Sequence, residues 1–228
     1  MTDDLTTRLP ETPDLTGRAV TASASGTIPT IHHFNIKTNR LDDLIDFYGK
    51  VAGMVPNFRW EGGAFLSNDA ANHRLAILSG PQFIDDPERP SHVGLHHSAF
   101  EFSTVSQLLD HFAALREIGI VPSFSLNHGL TTSFYYKDPD SNFVELQADN
   151  FGDWEKSTEF IRTSPQFAKD PIGPLVDPGA LYDAKRSGMS DVELHRRSYA
   201  GEFPPSEEPD FGLPPEAVAP PAAATSEL

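Results

Sequence analysis

The 228-residue chain contains no cysteine, so it can form no disulfide, no thiolate metal site and no cysteine nucleophile. It also has no run of about 18 apolar residues, the length that a membrane-spanning helix needs. Basic residues are scarce, because 17 Lys and Arg stand against 33 Asp and Glu, and the net charge is −16. Such a field repels nucleic acid and anionic membrane surfaces, so we expect neither as a partner.

The residues that are present suffice for a globular core. Hydrophobic residues make up 38% of the chain and include 16 Phe, which argues against wholesale disorder. The first residues, MTDD, do not resemble the basic and apolar start of a secretory signal, so we expect a cytoplasmic protein. Any metal site must use His, Asp, Glu or Tyr, and nine histidines are available.

Composition divides the chain into four segments. Residues 1–29 are rich in Thr, Ser and Pro, which predicts a flexible N-terminal arm. Residues 30–150 hold nearly all of the periodic apolar pattern, and residues 151–201 form a nearly neutral extension that we expect to pack on that domain. Residues 202–228 carry six acids, seven Pro and no base, which predicts an acidic, extended or disordered tail.

An internal repeat organises residues 30–150. The segment 31–36, IHHFNI, matches the segment 95–100, LHHSAF, at an offset of 64 residues. Each copy continues into apolar residues at helical spacing, from Leu41 and from Val105, and then into three short strand-like runs. Each copy is therefore predicted to be a βαβββ module, at about residues 30–80 and 94–150. Two such modules with a pseudo-twofold relation predict an α+β fold, a cupped half-open barrel whose concave face carries the site.

Alternation along the strands predicts which side chains face this concave surface. If the apolar face of each first strand packs under its helix, His33 and His97 point to the concave side. The same argument favours Glu145 in the last strand and Tyr135 in the strand before it. A bulge in that strand would exchange Tyr135 for Tyr136.

Two histidines and one carboxylate on the same surface predict a possible metal site. This donor set leaves coordination positions open and suits Fe(II) oxygen chemistry, while it also tolerates Mn(II) and, less well, Zn(II). A histidine on a strand more often serves as a surface or hydrogen-bonded core residue. The recurrence of His33 and His97 at repeat-related positions favours ligation, whereas we interpret His32 and His96 as structural. The residues alone leave both alternatives open.

The sequence resembles the vicinal oxygen chelate superfamily, and within it the single-domain type I extradiol dioxygenases that cleave catechols and biphenyl-diols. The resemblance covers about residues 30–150 and is most specific over 126–146, LNHGLTTSFYYKDPDSNFVEL. This segment is similar to the family's Ser-x-Tyr-x-x-x-Pro-x-x-x-x-x-Glu motif, although Ser141 stands where the family's turn usually has Gly. The segment from 151 to about 197 also looks like the C-terminal extension of the short members.

The resemblance implies the metal ligands and the reaction. His33, His97 and Glu145 match the family's two metal-binding histidines and its carboxylate. The implied metal is Fe(II), with Mn(II) as the alternative and Zn(II) less favoured. The implied activity is insertion of O₂ into a small catechol-type aromatic diol, with ring cleavage next to the diol.

The resemblance also implies three further active-site residues. Tyr135 matches the tyrosine ten residues before the ligand Glu, and it would hydrogen-bond a substrate oxygen. His73 looks like the family's acid–base histidine. His128 resembles a further active-site histidine, although its spacing to Tyr135 is shorter than the family's pattern.

Two other functions stay open at this stage. One is another metal-dependent enzyme of the same fold, a lyase, isomerase or epimerase. The other is a non-enzymatic small-molecule binding protein of that fold, which the retained ligand set disfavours. A four-ligand, glyoxalase-like site is also disfavoured, because Pro81 lies 64 residues before Glu145 and the nearby run 73–78 contains no acid. Exposed sheet edges and the C-terminal extension predict a homo-oligomer.

Overall fold

The structure, a computed structural model, describes residues 29–214 and residue 217. The chain divides into two units, Met1–His32 and His33–Leu228. In the first unit the described residues 29–32 have no regular secondary structure. The predicted arm falls outside the described residues except for residue 29, as does the predicted tail at residues 215, 216 and 218–228.

The second unit begins with a βαβββ module, as the repeat predicts. Its elements are β1 (Phe34–Thr38), α1 (Leu41–Ala52), β2 (Val55–Trp60), β3 (Gly63–Ser67) and β4 (Leu75–Ser79). The strands form one sheet in the order β1-β4-β3-β2, with β1 parallel to β4 and the other pairs antiparallel. Helix α1 ends at Gly53, whose left-handed φ of +64° lets its N–H donate to Tyr48 O.

A second βαβββ module follows with the same topology. Its elements are β5 (His97–Phe102), α2 (Val105–Glu117), β6 (Phe124–Asn127), β7 (Thr131–Lys137) and β8 (Phe143–Asp149). The sheet order is β5-β8-β7-β6, again with only the outer pair β5–β8 parallel. The predicted α+β fold of paired modules is therefore confirmed. Strand β6 begins at Phe124, after Pro122, which has no N–H to donate to a neighbouring strand.

Strand alternation separates two apolar surfaces of the second sheet. Phe134, Val144 and Leu146 belong to the main core, which also contains the buried faces of both helices. Tyr135 and Phe143 belong to a smaller cluster on the other surface. This division agrees with the alternation that the sequence predicts for β7 and β8.

Contacts between the two modules place β1 beside β5. The rings of Phe34 and Phe100 lie 6.1 Å apart at the start and middle of these strands. Tyr48 of the first module donates its hydroxyl to Asp138 Oδ2 of the second at 3.3 Å. His111 of the second module lies 3.0 Å, through Nε2, from the carbonyl oxygen of Val51.

The C-terminal extension covers the free edge of the second sheet. It contains α3 (Trp154–Thr163), α4 (Pro165–Lys169), α5 (Pro178–Arg186) and α6 (Asp191–Tyr199). Main-chain hydrogen bonds join it to β6, since Asn127 N donates to Pro174 O and Val176 N donates to Ser125 O, each at 3.0 Å. Among the described residues, no helix combines the length and the apolar character that crossing a bilayer requires.

Candidate active site

Glu145 lies near the middle of β8 and is only 5% exposed. In the sheet it is paired with Ala99 of the parallel strand β5 and with Tyr135 of the antiparallel strand β7. Directly paired residues of neighbouring strands project to the same face. The register therefore places the Tyr135 and Glu145 side chains together.

His97 opens β5 and reaches the same carboxylate. Its Nε2 lies 3.1 Å from Glu145 Oε2. Two ligand atoms bound at right angles to one ion, with bonds of about 2.1 Å, are separated by about 3 Å. The spacing of this imidazole nitrogen and this carboxylate oxygen therefore fits a shared metal ion.

Tyr135 hydrogen-bonds the other oxygen of the carboxylate. Its hydroxyl donates to Glu145 Oε1 at 2.8 Å, and its ring stacks on Phe124 with centroids 4.2 Å apart. Burial and the nearby charge of Glu145 raise the pKa of Tyr135, so the side chain stays a phenol. The β7–β8 register runs without a bulge from Thr131 to Lys137. Tyr136 consequently lies on the opposite face, in the main core.

His128 follows β6 and contacts the same phenol. Its Nε2 lies 2.9 Å from the Tyr135 hydroxyl, and its Nδ1 lies 2.6 Å from the carbonyl oxygen of Ile172. Burial lowers the pKa of His128, which favours the neutral ring. Because a carbonyl only accepts, Nδ1 carries the proton and Nε2 presents a lone pair to Tyr135. The single Tyr135 proton therefore lies between two acceptors, His128 Nε2 and Glu145 Oε1.

The protein keeps Glu145 ionised in spite of its burial. Burial alone would raise the pKa of Glu145, but hydrogen bonds from His97, Ser133 and Tyr135, together with the charge of His97, lower it overall. A buried carboxylate that stays charged is a good ligand for a cation. We call His97, Glu145, Tyr135 and His128 the second-module cluster.

The other two predicted site residues lie together on the first sheet. His33 immediately precedes β1 and is exposed, and His73 precedes β4 and is half-buried. Their ring centroids are 4.4 Å apart, and a ring nitrogen of each lies within 4.8 Å of the other's. Phe65 stacks on His73 with centroids 4.6 Å apart. We call His33 and His73 the first-module pair.

His96 makes a contact with a predicted site residue that strand alternation does not predict. His96, interpreted as structural, places its Nδ1 2.9 Å from Nδ1 of His97. Strand β5 begins at His97, so the alternation that would turn His96 away does not extend to it. A cavity of about 820 Å³ reaches His96 and is walled by the linker before β5 and the turn after β7.

The chain matches the family model of the Glyoxalase/Bleomycin resistance protein/Dioxygenase superfamily over residues 30–146. The chain belongs to this superfamily. Biphenyl-2,3-diol 1,2-dioxygenase 3 of Rhodococcus globerulus is 40% identical over 173 residues, which cover 75% of this chain and 90% of the relative. Biphenyl-2,3-diol 1,2-dioxygenase 2 of the same organism is 34% identical over 177 residues, which cover 78% of this chain and 92% of the relative. Catechol-2,3-dioxygenase of Bacillus subtilis (strain 168) is 27% identical over 150 residues, which cover 65% of this chain and 52% of the relative.

In this superfamily member the two modules differ at the carboxylate position. Glu145 is paired with Tyr135 in the second module, and the equivalent pair in the first module is Ala76 with Phe65. The structural counterpart of Glu145 is thus Ala76, 69 residues earlier, rather than Pro81, because the repeat offset lengthens before the last strand. Neither Ala76 nor Phe65 can bind a metal, so the first module offers no matching carboxylate there.

Proposed function

We propose that this chain is an extradiol ring-cleaving dioxygenase that inserts both atoms of O₂ into a small catechol-type aromatic diol. The observation that carries the proposal is the second-module cluster, in which the buried, ionised carboxylate of Glu145 contacts a histidine and a buried phenol. The similarity to two biphenyl-2,3-diol 1,2-dioxygenases over three quarters of the chain supports the same activity.

The proposed metal is Fe(II), with Mn(II) as the alternative and Zn(II) less favoured, held by His33, His97 and Glu145. The donor set of two imidazoles and one carboxylate suits Fe(II) and leaves positions open. When bound, the ion would supply positive charge that favours the ionised diol and a common site for both reactants. The packing of Phe34 on Phe100 supports the participation of His33, because it sets the strand that follows His33 beside β5.

The protein side chains supply the hydrogen bonds and the proton transfers. Tyr135 is held by Phe124, and its hydroxyl can turn from Glu145 to a diol oxygen. His128 is neutral and presents Nε2 to the same hydroxyl, so it can accept a proton through Tyr135 or from the substrate. His73, next to His33, is the proposed acid–base residue for the second diol oxygen.

The test is oxygen uptake by the full chain after anaerobic loading with Fe(II). Catechol, 3-methylcatechol and 2,3-dihydroxybiphenyl serve as the substrate panel. We expect one O₂ consumed per diol and a yellow ring-fission product. Glu145→Ala removes this activity, whereas Glu117→Ala, which removes an exposed carboxylate at the end of α2, keeps it. Full iron occupancy without oxygen uptake on any diol contradicts the proposal.

The rival functions give different results in related measurements. A lyase, isomerase or epimerase of this fold would be purified with a metal other than iron and would consume no oxygen. A binding protein would keep its ligand affinity and its metal content in His33→Ala. A lyase, isomerase or epimerase with a four-ligand, glyoxalase-like metal site is disfavoured, because Ala76 at the equivalent first-module position cannot supply a ligand.

The proposal also includes a cytoplasmic location and a homo-oligomer. Strand β2 supports the homo-oligomer, because it lies at the edge of its sheet with Val55 and Phe58 each 60% exposed. An exposed apolar edge strand is a surface that proteins usually cover. Light scattering of the purified chain tests the assembly, and a monomer at all concentrations contradicts it.

A further inference from the structure

We propose that His96 is a positioning residue for His97, and that the main-chain carbonyl of Phe211 fixes the direction of the hydrogen bond between the two histidines. The inference rests on the proposed function, in which His97 Nε2 is a metal ligand. It adds a contact from residues beyond 201, outside the span that the family model matches.

The carbonyl of Phe211 sets the proton positions along the chain of contacts. His96 Nε2 lies 3.1 Å from Phe211 O. Because this oxygen can only accept, His96 Nε2 carries the hydrogen and donates it. A neutral imidazole has a single N–H, so His96 Nδ1 is an acceptor.

The second hydrogen bond then has a defined direction. His97 Nδ1 lies 2.9 Å from His96 Nδ1 and must donate to it. When a metal ion occupies Nε2, the one proton that His97 keeps is thereby held at Nδ1, on the side of the ring away from Glu145. Nε2 faces Glu145 Oε2 at 3.1 Å, where a metal ion can take the place of a proton between the two atoms. Metal-binding histidines generally donate their second N–H to an acceptor, and that bond fixes both tautomer and ring orientation.

Packing holds His96 and its partner Phe211 in place. The His96 ring stacks on Phe143 with centroids 5.1 Å apart, and the Phe211 ring packs on Phe124 at 4.8 Å. Gly212 has a left-handed φ of +59°, and a Cβ there would approach the Phe143 ring to 2.3 Å. Lys137 and Asp210 form an ion pair beside it. The segment predicted as an acidic tail therefore begins with residues that are docked on the second sheet.

The experiment compares two replacements of His96 in the full chain. His96→Leu removes the acceptor for His97 Nδ1, whereas His96→Asn retains an oxygen close to the Nδ1 position. His111→Leu is the matched control, because His111 is also half-buried and contacts a main-chain carbonyl, that of Val51. Zn(II) serves as a diamagnetic probe, its affinity is measured by chelator competition, and imidazole ¹⁵N NMR reports which ring nitrogens carry protons.

We expect His96→Leu to bind Zn(II) about 10- to 100-fold more weakly, the range found for residues that orient metal ligands. In the same variant, the slowly exchanging Nδ1–H signal of His97 disappears. His96→Asn and His111→Leu stay close to the wild type in affinity and in the His97 signal. In the zinc-loaded wild type, His96 carries its proton on Nε2 and His97 on Nδ1.

Different outcomes overturn the two proposals. If Zn(II) binds the wild type without perturbing His97, then His97 is not a metal ligand and the proposed function is wrong. If Zn(II) does bind at His97, and His96→Leu binds it equally well or the wild type shows His96 protonated on Nδ1, only the role of His96 is wrong. The wild-type spectrum alone decides the tautomers, so the test does not depend on the folding of any variant.

Discussion

In the first module the edge strand β2 is exposed along nearly its whole length, whereas the equivalent strand β6 in the second module is fully buried. The difference comes from the C-terminal extension, which bridges to β6 through Leu126 and Leu175. Correspondingly, the first-module pair contains an exposed histidine, whereas Glu145 and Tyr135 of the second-module cluster are buried. The same repeat thus yields a buried polar pair only in the module that a later segment covers.

The modules also differ at one pair of directly opposite residues in the sheet. Glu145 and Tyr135 form a hydrogen-bonded polar pair, whereas Ala76 and Phe65 in the same register form an apolar one. The carboxylate is therefore specific to the second module. The proposed single metal site depends on this asymmetry, with His33 as the ligand proposed from the first module.

The largest effect is expected for the carboxylate itself. Glu145→Ala removes the anionic ligand, so we expect metal affinity to fall by at least about 100-fold, because even residues that only orient ligands cost 10- to 100-fold. Ala76→Ser, a change at the equivalent first-module position, leaves metal content and oxygen uptake unchanged. Metal analysis of both purified variants checks this. Loss of metal in Ala76→Ser would mean that the first-module position also matters for metal binding.

Next comes the core beneath the two sheets. Leu146 is 1% exposed in β8, whereas Leu78 in β4 is 43% exposed. Leu146→Ala should lower the free energy of unfolding by about 2–5 kcal/mol, because it leaves a cavity in a close-packed core. Leu78→Ala should cost about 0.5 kcal/mol or less. Urea unfolding measures both, and equal costs would mean that Leu78 is packed more tightly than its exposure indicates.

A smaller effect is expected from removing the phenol at the site. Tyr135→Phe removes the one hydroxyl proton that Glu145 and His128 can accept, so turnover should fall by about 100-fold, the lower end for a proton-transfer group. Tyr136→Phe is the matched control on the opposite face. The Tyr136 hydroxyl is buried without a hydrogen-bond partner, so its removal should leave turnover unchanged and stability equal or higher. A larger loss of turnover in Tyr136→Phe than in Tyr135→Phe, measured by steady-state kinetics, would mean that Tyr136 is the active-site tyrosine.

The smallest effect concerns two repeat-related turn aspartates. Hydrogen bonds from Arg74 and from Ala71 N–H lower the pKa of Asp69 from 3.8 to about 2, while burial raises the pKa of Asp138. The ionised Asp69 therefore stabilises the fold above about pH 4, and this contribution is lost as the pH falls toward 2. Asp138 has the opposite sign, since its contribution is lost as the pH rises above its unfolded value.

The measurement is urea unfolding of the metal-free protein between pH 2 and 5. Asp69→Asn should flatten the loss of stability toward low pH, and Asp138→Asn should steepen it. Identical slopes in the wild type and both variants would show that neither turn carries the expected linkage.

Much of this arrangement is visible in the sequence because it follows from periodicity. The 64-residue repeat and the helical spacing from Leu41 and Val105 predict both modules, and the period of two predicts that Glu145 and Tyr135 share a face. Main-chain acceptors are different. The carbonyls of Ile172 and Phe211, which orient His128 and His96, belong to segments with no periodic pattern, and a main-chain carbonyl leaves no trace in residue identity. Only tertiary packing brings them to the site.

The claim that one metal ion joins both modules depends most on His33, which lies beside His73 on the first sheet. Co(II) titration of the full chain, followed by its absorption spectrum, tests this directly. We expect one ion per wild-type chain and an affinity at least about 100-fold weaker in His33→Ala, because losing a ligand should cost more than losing a residue that orients one. His92→Ala, at an exposed histidine bound to Asp86, serves as the control and should match the wild type. Unchanged Co(II) affinity and stoichiometry in His33→Ala would show that His33 is not a ligand of the metal ion.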